Sequence, residues 1–333
     1  MKKRSRGARK IRWLRIGVIC LFLLAVAAAG GWLTGKISSA TEQTGYRNTL
    51  KEKIKEARAV QKMAEEAVYD RNIDAESFNA IIDYAQEDLG TYIRSLQQWM
   101  QEKITPETWQ ALMNLDNPTD SYRRILSNLN YYSREQAAAF AHDKDLLEYM
   151  AYYPSREDHM TPPETMTSEL DWFPYVSQWN PDWAYLNYQD STIGEAGSRP
   201  VTIAMAVKRL SEDSSVTPWI VAQSLDAPLT EEETMLYGTA DLDARMVDLF
   251  SSYGISETEL GADAEAISQA LNQNGLFLIR AAEGTPDHWM LAANDPDGKL
   301  RVLDSESRSN TNKEWTLEEL LQKGTQYILL SRS

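Results

Sequence analysis

The chain has 333 residues, 43% hydrophobic and 25% charged, with a formal net charge of −15. This is globular composition with length for more than one domain, and it excludes wholesale disorder and fibrous architectures. Residues 1–15 carry eight basic side chains (Lys2, Lys3, Arg4, Arg6, Arg9, Lys10, Arg12 and Arg15) and no acid, so residues 16–333 are left with −23; so anionic a body repels nucleic acid, and none is expected as a partner.

Between the two charges lies Ile16–Leu33, eighteen residues without a charge, closed by Lys36. As a helix this run is just long enough to cross a hydrocarbon core, and residues 16–35 are read as a membrane-spanning signal anchor. The basic flank predicts a cytoplasmic N-terminus (1–15) and an extracellular body, a single-pass protein of the cell membrane. A cleaved signal peptide is the alternative, since Ala25-Val26-Ala27 and Ala27-Ala28-Ala29 both have the small-x-small pattern; the apolar run continues past them through Trp32 and Leu33. The single cysteine, Cys20, falls inside this run. The exported part therefore has no thiol for a disulfide, a nucleophile or a metal.

Residues 36–46 read as a linker. From 47 to 153 the pattern is helical: Leu50, Ile54, Ala57, Val60 and Ala64 recur at three- and four-residue steps, as do Ile82, Leu89, Ile93, Leu96 and Met100. Thr105-Pro106-Glu107 and the capping box Ser133–Gln136 mark helix starts. Such a region suits a stalk, a sensor or a docking platform, or a plain spacer. Residues 154–168, with Pro162-Pro163, read as a second linker. The remainder, 169–333, is predicted to be α+β. An aromatic cluster (Trp172 to Tyr188) precedes strands at Leu276–Arg280, Trp289–Ala293, Leu300–Leu303 and Tyr327–Leu330, with helices at Val201–Leu210, Asp263–Gln273 and Thr316–Gln322.

Three histidines limit the search for a general base. His142 sits in a helical stretch and His159 in the linker, whereas His288 opens an apolar strand. Asp304 closes the next strand, and the turn Asp295-Pro296-Asp297-Gly298 falls midway, so an antiparallel hairpin brings the two together. A histidine oriented by a carboxylate and two polar residues that merely end a hairpin are both open at this point. The turn has its glycine two positions too early for a calcium loop. No phosphate loop and no metal-ligand spacing are present, and neither metal nor cofactor is expected.

Gln178-Trp179-Asn180-Pro181-Asp182-Trp183, then Tyr188, Ser191–Pro200, the His288 strand, Asp304-Ser305 and Trp315 resemble family thirty-nine of the cysteine peptidases. These are papain-superfamily proteins related to the proteases that trim double-glycine leader peptides. The resemblance is closest to stand-alone exported or membrane-anchored firmicute members, in which a helical region precedes the peptidase-like domain. It covers about residues 145–333. It implies a papain-like fold at 169–333, with His288 as base, Asp304 as its orienter and Gln178 as oxyanion-hole donor. Ser198 stands at the nucleophile position. The family motif G-C-G-P-T-S is here Gly197-Ser198-Arg199-Pro200, and Asp287 precedes the histidine where glycine is usual. A helix N-terminus that makes a thiolate leaves a serine hydroxyl protonated. The resemblance thus implies a pseudo-peptidase serving as a binding or regulatory module for a peptide or cell-envelope partner. The alternatives are an active hydrolase using Ser198, His288 and Asp304, and a chain whose function lies in the helices 47–153.

Overall fold

The computed structural model describes residues 41–226, 242–282 and 288–332. The basic tail, the apolar run with Cys20, the first half of the 36–46 linker and Asp287 lie outside the described residues. Among the described residues no helix is long and apolar enough to cross a membrane. Contacts divide the chain into two compact units, residues 41–66 with 85–120, and residues 67–84 with 121–332.

In the first unit a helix over residues 41–65 packs against the C-terminal part of the helix Ala75–Trp99. Leu50, Ile54, Ala57, Val60 and Ala64 on one helix and Leu89, Ile93 and Leu96 on the other are buried, which is the face that the apolar spacing marks. Gln86 Nε2 donates to the Gln61 carbonyl at 2.9 Å. The linker 36–46 is corrected in its second half. Residues 41–46 are helical because tertiary contacts hold a polar stretch: Tyr46 stacks on Trp109 at 4.5 Å, and the Gln43 amide brackets the backbone of Ile104. Thr105 caps the helix Pro106–Met113 by accepting from the Thr108 N–H.

The second unit takes up the helix Thr119–Ser127 from residue 121 and continues with the helices Arg134–His142 and Leu147–Tyr152, the first of these two opened by the Ser133/Gln136 capping box. The 154–168 linker is also partly helical: Tyr153–His159 winds as a 3-10 helix, steadied by Arg156 over the Tyr153 ring at 4.6 Å. These helices belong with the C-terminal domain. Tyr149 stacks on Tyr185 at 5.2 Å, and the Tyr185 hydroxyl donates to the Tyr149 carbonyl.

That domain is α+β, with an antiparallel five-stranded sheet. A short ribbon β1 (Asn187–Tyr188) and β2 (Ser191–Thr192) precedes β3 (Ile255–Glu259), β4 (Leu276–Ala281), β5 (Trp289–Asn294), β6 (Leu300–Asp304) and β7 (Gly324–Arg332), in spatial order β3-β7-β4-β5-β6. Period-two alternation sends Leu278, Trp289, Leu291 and Leu303 to one core, and Phe277, Ile279, Met290 and Val302 to another. Helices cover both faces, so the strands read as continuous apolar runs rather than alternating ones. The first core holds the central helix Ser198–Ser211, whose residues 198–207 are all buried. The second is closed by Ile267, Leu271, Trp315 and Leu320. Trp183, Tyr188, Phe173 and Tyr175 of the aromatic cluster fill the core.

Candidate active site

The central helix begins where the chain has no room for a side chain. A Cβ on Gly197 would lie 2.2 Å from the Ile193 carbonyl oxygen, so glycine alone fits, and Ser198 becomes the first helical residue. Pro200 is tolerated because first-turn N–H groups have no intrahelical acceptor. The helix then runs over the sheet, bringing Ser198 to the start of β5.

The β5–β6 hairpin sets the other half. Its turn is tied by Asp295, whose carboxylate accepts from the N–H groups of Asp297 and Lys299 at 3.0 Å each; Gly298 takes the left-handed conformation, φ 78°. This is a plain turn. Met290 pairs with Asp304, which carries His288, two residues before Met290 on the same side of the strand, to Asp304. His288 Nε2 lies 2.8 Å from Asp304 Oδ1. A carboxylate oxygen accepts, so Nε2 is the donor in this contact and Nδ1 is the other ring nitrogen. Nδ1 faces Glu306 Oε2 at 3.8 Å. Asp304 is fully buried and also accepts from Asn310 Nδ2 at 2.8 Å and from the Glu306 N–H at 3.0 Å. Its backbone is clasped by Thr311 and the Tyr175 hydroxyl. The side chain therefore has no freedom to rotate away.

Ser198 is arranged differently. Its hydroxyl donates to the Trp289 carbonyl at 3.0 Å and accepts from the Trp289 N–H at 2.9 Å. Register explains why those groups are available. The Ala281 N–H donates to the His288 carbonyl, so on β5 the His288 backbone faces β4 and the next residue, Trp289, faces the β6 side. There β6 has ended, and the Ser305 carbonyl accepts from the Gln178 N–H instead. The serine hydroxyl stands in for the missing strand, with Thr202 one turn along donating to the same carbonyl at 3.0 Å. Ser198 is 2% exposed and makes no hydrogen bond to His288 among the described residues.

Arg199 is 3% exposed, in the first turn, where the helix dipole disfavours a cation. Asp243 offsets this at 3.1 Å, and the guanidinium lies 5.1 Å from the Trp289 ring centroid. Gln178, fully buried, donates from Nε2 to the Gly194 carbonyl at 3.1 Å and accepts from the Ser305 hydroxyl at 3.4 Å. Its amide ties the backbone of Gly194 to the side chain of Ser305. On β3, burial first and the charge of Asp243 second push the Glu257 carboxyl up to about 7. Of the other histidines, His142 ends its helix in solvent, and His159 packs edge-on to Tyr152 at 4.9 Å.

The structure thus brings His288 and Asp304 into contact, places Ser198 on the backbone beside them, and turns Gln178 inward. Sequence reasoning missed Glu306, Asn310 and Asp243. A signal existed for Asn310, since Ser307 accepts from its N–H as a helix cap, which fixes a short helix straight after Asp304; Glu306 and Asp243 carry none. Comparison with protein-family models, with curated proteins and with solved structures finds no match for the chain.

Proposed function

We propose that residues 169–333 form a papain-like peptidase fold without efficient hydrolytic chemistry, acting as a binding or regulatory module for a peptide or cell-envelope partner. Residues 16–35 would hold it outside the cell as a single-pass membrane protein, a reading that rests on the basic tail and the apolar run. The fold reading is supported by a buried helix that starts at position 198 and packs on an antiparallel sheet whose hairpin carries His288 and Asp304.

One observation carries the loss of chemistry: both hydrogen-bonding capacities of the Ser198 hydroxyl are engaged by the Trp289 backbone. Serine attack requires a base to take the hydroxyl proton during the step. Here that proton points at the Trp289 carbonyl, while the Trp289 N–H donates to the hydroxyl oxygen, so the hydroxyl must give up its donor bond before its proton can pass to His288. Arg199 fills the space beside it, where the family pattern has glycine. The test is peptide hydrolysis by the full-length protein, by Ser198→Ala, and by Ser198→Cys with Arg199→Gly. The native protein and Ser198→Ala are expected to be equally inert; native hydrolysis that disappears in Ser198→Ala would overturn the proposal. Gain of activity in the double variant would locate the loss at positions 198 and 199.

The contact between His288 and Asp304 favours a second reading, a slow hydrolase. In it Ser198 attacks a peptide carbonyl carbon as its proton passes to His288 Nδ1, the imidazolium held by Asp304 through Nε2 gives that proton to the departing amine as the C–N bond breaks, and water then cleaves the acyl-serine by the same proton path.

A further inference from the structure

We propose that the first unit carries a binding site for an organic phosphate, in the groove of about 770 Å³ lined by Lys51, Ile54, Lys55, Arg58, Gln97, Met100 and Gln101. Lys51, Lys55 and Arg58 recur at four- and three-residue steps, so one face of the 41–65 helix aims three cations into one space. Gln97 and Gln101, four apart, supply amides from the other side. Ile54, 7% exposed, and Met100 form an apolar floor. No acidic side chain lines the groove.

These cations have little other work. Lys55 meets Glu52 at 3.3 Å, but both side chains are mostly exposed, a pair worth little. Neither Lys51 nor Arg58 has a carboxylate partner among the described residues. Nor are they needed to cap the helix Ala75–Trp99: the carbonyls of Leu96, Gln98 and Trp99 accept from the N–H groups of Met100, Gln101 and Glu102. The local charge is also out of keeping with the chain. Residues 47–62 contain six basic side chains against two glutamates, within a region of 318 residues whose net charge is −23. Cations kept together in so anionic a body, around an open groove that no acidic side chain lines, select an anion.

The chemistry of the lining narrows its class. Arg and Lys with amide donors match phosphate oxygens, and a space of this size with an apolar floor takes an organic body attached to the phosphate. A phospholipid headgroup and a soluble polyol phosphate share this chemistry. This inference is independent of Ser198.

The experiment is a calorimetric titration of the full-length protein in nonionic detergent with dihexanoyl phosphatidylglycerol and with glycerol 1-phosphate, with dihexanoyl phosphatidylcholine as control. Phosphatidylglycerol, or both phosphates, should bind, more weakly in 0.5 M salt than in 0.05 M, as expected for exposed charges. Lys51→Gln with Arg58→Gln should weaken binding about tenfold or more. Gln97→Trp, which fills the groove and leaves the charge unchanged, should weaken it as well. Ser198→Ala should not alter it. Binding of the lipid alone identifies a headgroup site, and binding of both a site for soluble phosphates. Absence of binding, equal binding of phosphatidylcholine, or full binding in the double and Gln97→Trp variants would overturn the proposal.

Discussion

The two halves of the candidate site are built to different ends. On the hairpin side, Asp304 gathers His288, Asn310 and a backbone N–H around one carboxylate, an arrangement that fixes the imidazole in one orientation. On the helix side every polar group completes the fold. The Ser198 hydroxyl replaces a missing strand, the Arg199 guanidinium lies between Asp243 and the Trp289 ring, and the Gln178 amide ties down Gly194. On the proposed reading, an oriented His–Asp pair is not by itself a sign of catalysis. The same two residues serve a nucleophile or a buried polar junction, and the hydroxyl beside them decides which.

Mutations separate the halves by size of effect. Asp304→Ala removes the acceptor for three donors in a fully buried place and should destabilise the protein by about 3–5 kcal/mol in denaturant unfolding. A loss below about 1 kcal/mol would break the comparison by showing that the base side does not hold the fold. Ser198→Ala leaves the Trp289 N–H buried without a partner, and unfolding should show a loss of about 1–3 kcal/mol. A free nucleophile would be replaced at almost no cost in stability. Arg199→Met keeps the bulk and removes the charge, and a loss of about 1–2 kcal/mol is expected from the stacking on Trp289 and the pair with half-exposed Asp243.

The smallest effect is one of pH. The Glu257 carboxyl is raised from 4.5 to about 7, so the folded state holds a proton that the unfolded chain has released. Its contribution is intact below pH 4.5 and stability declines as pH rises through 7. Glu257→Gln should therefore leave the pH 4 melting temperature unchanged and raise stability by about 1 kcal/mol at pH 8. An equal change at both values would assign the effect to packing.

Much of this was legible in sequence, for identifiable reasons. Helix starts announced themselves through Thr105-Pro106, Ser133–Gln136 and Thr316–Glu319, because caps act within one turn. Strands β4, β5, β6 and β7 stood out as apolar runs, and the turn midway between His288 and Asp304 gave their approach. β3 did not stand out, since Ile255-Ser256-Glu257-Thr258-Glu259 is polar and forms a sheet edge. The helices Pro218–Asp226 and Leu242–Ser252 were also missed. Gln178 and Ser198 were found by position, but their hydrogen bonds were not, because those depend on where β6 stops and on which way Trp289 faces. Neither is a property of neighbouring residues in the chain.

The most direct test of the central claim is reaction of the native full-length protein with a fluorophosphonate probe, followed by peptide mapping. With the Ser198 hydroxyl held by the Trp289 backbone, the account predicts no labelling at Ser198 in folded protein. Stoichiometric labelling there, abolished by His288→Ala, would contradict it and establish Ser198 as a working nucleophile.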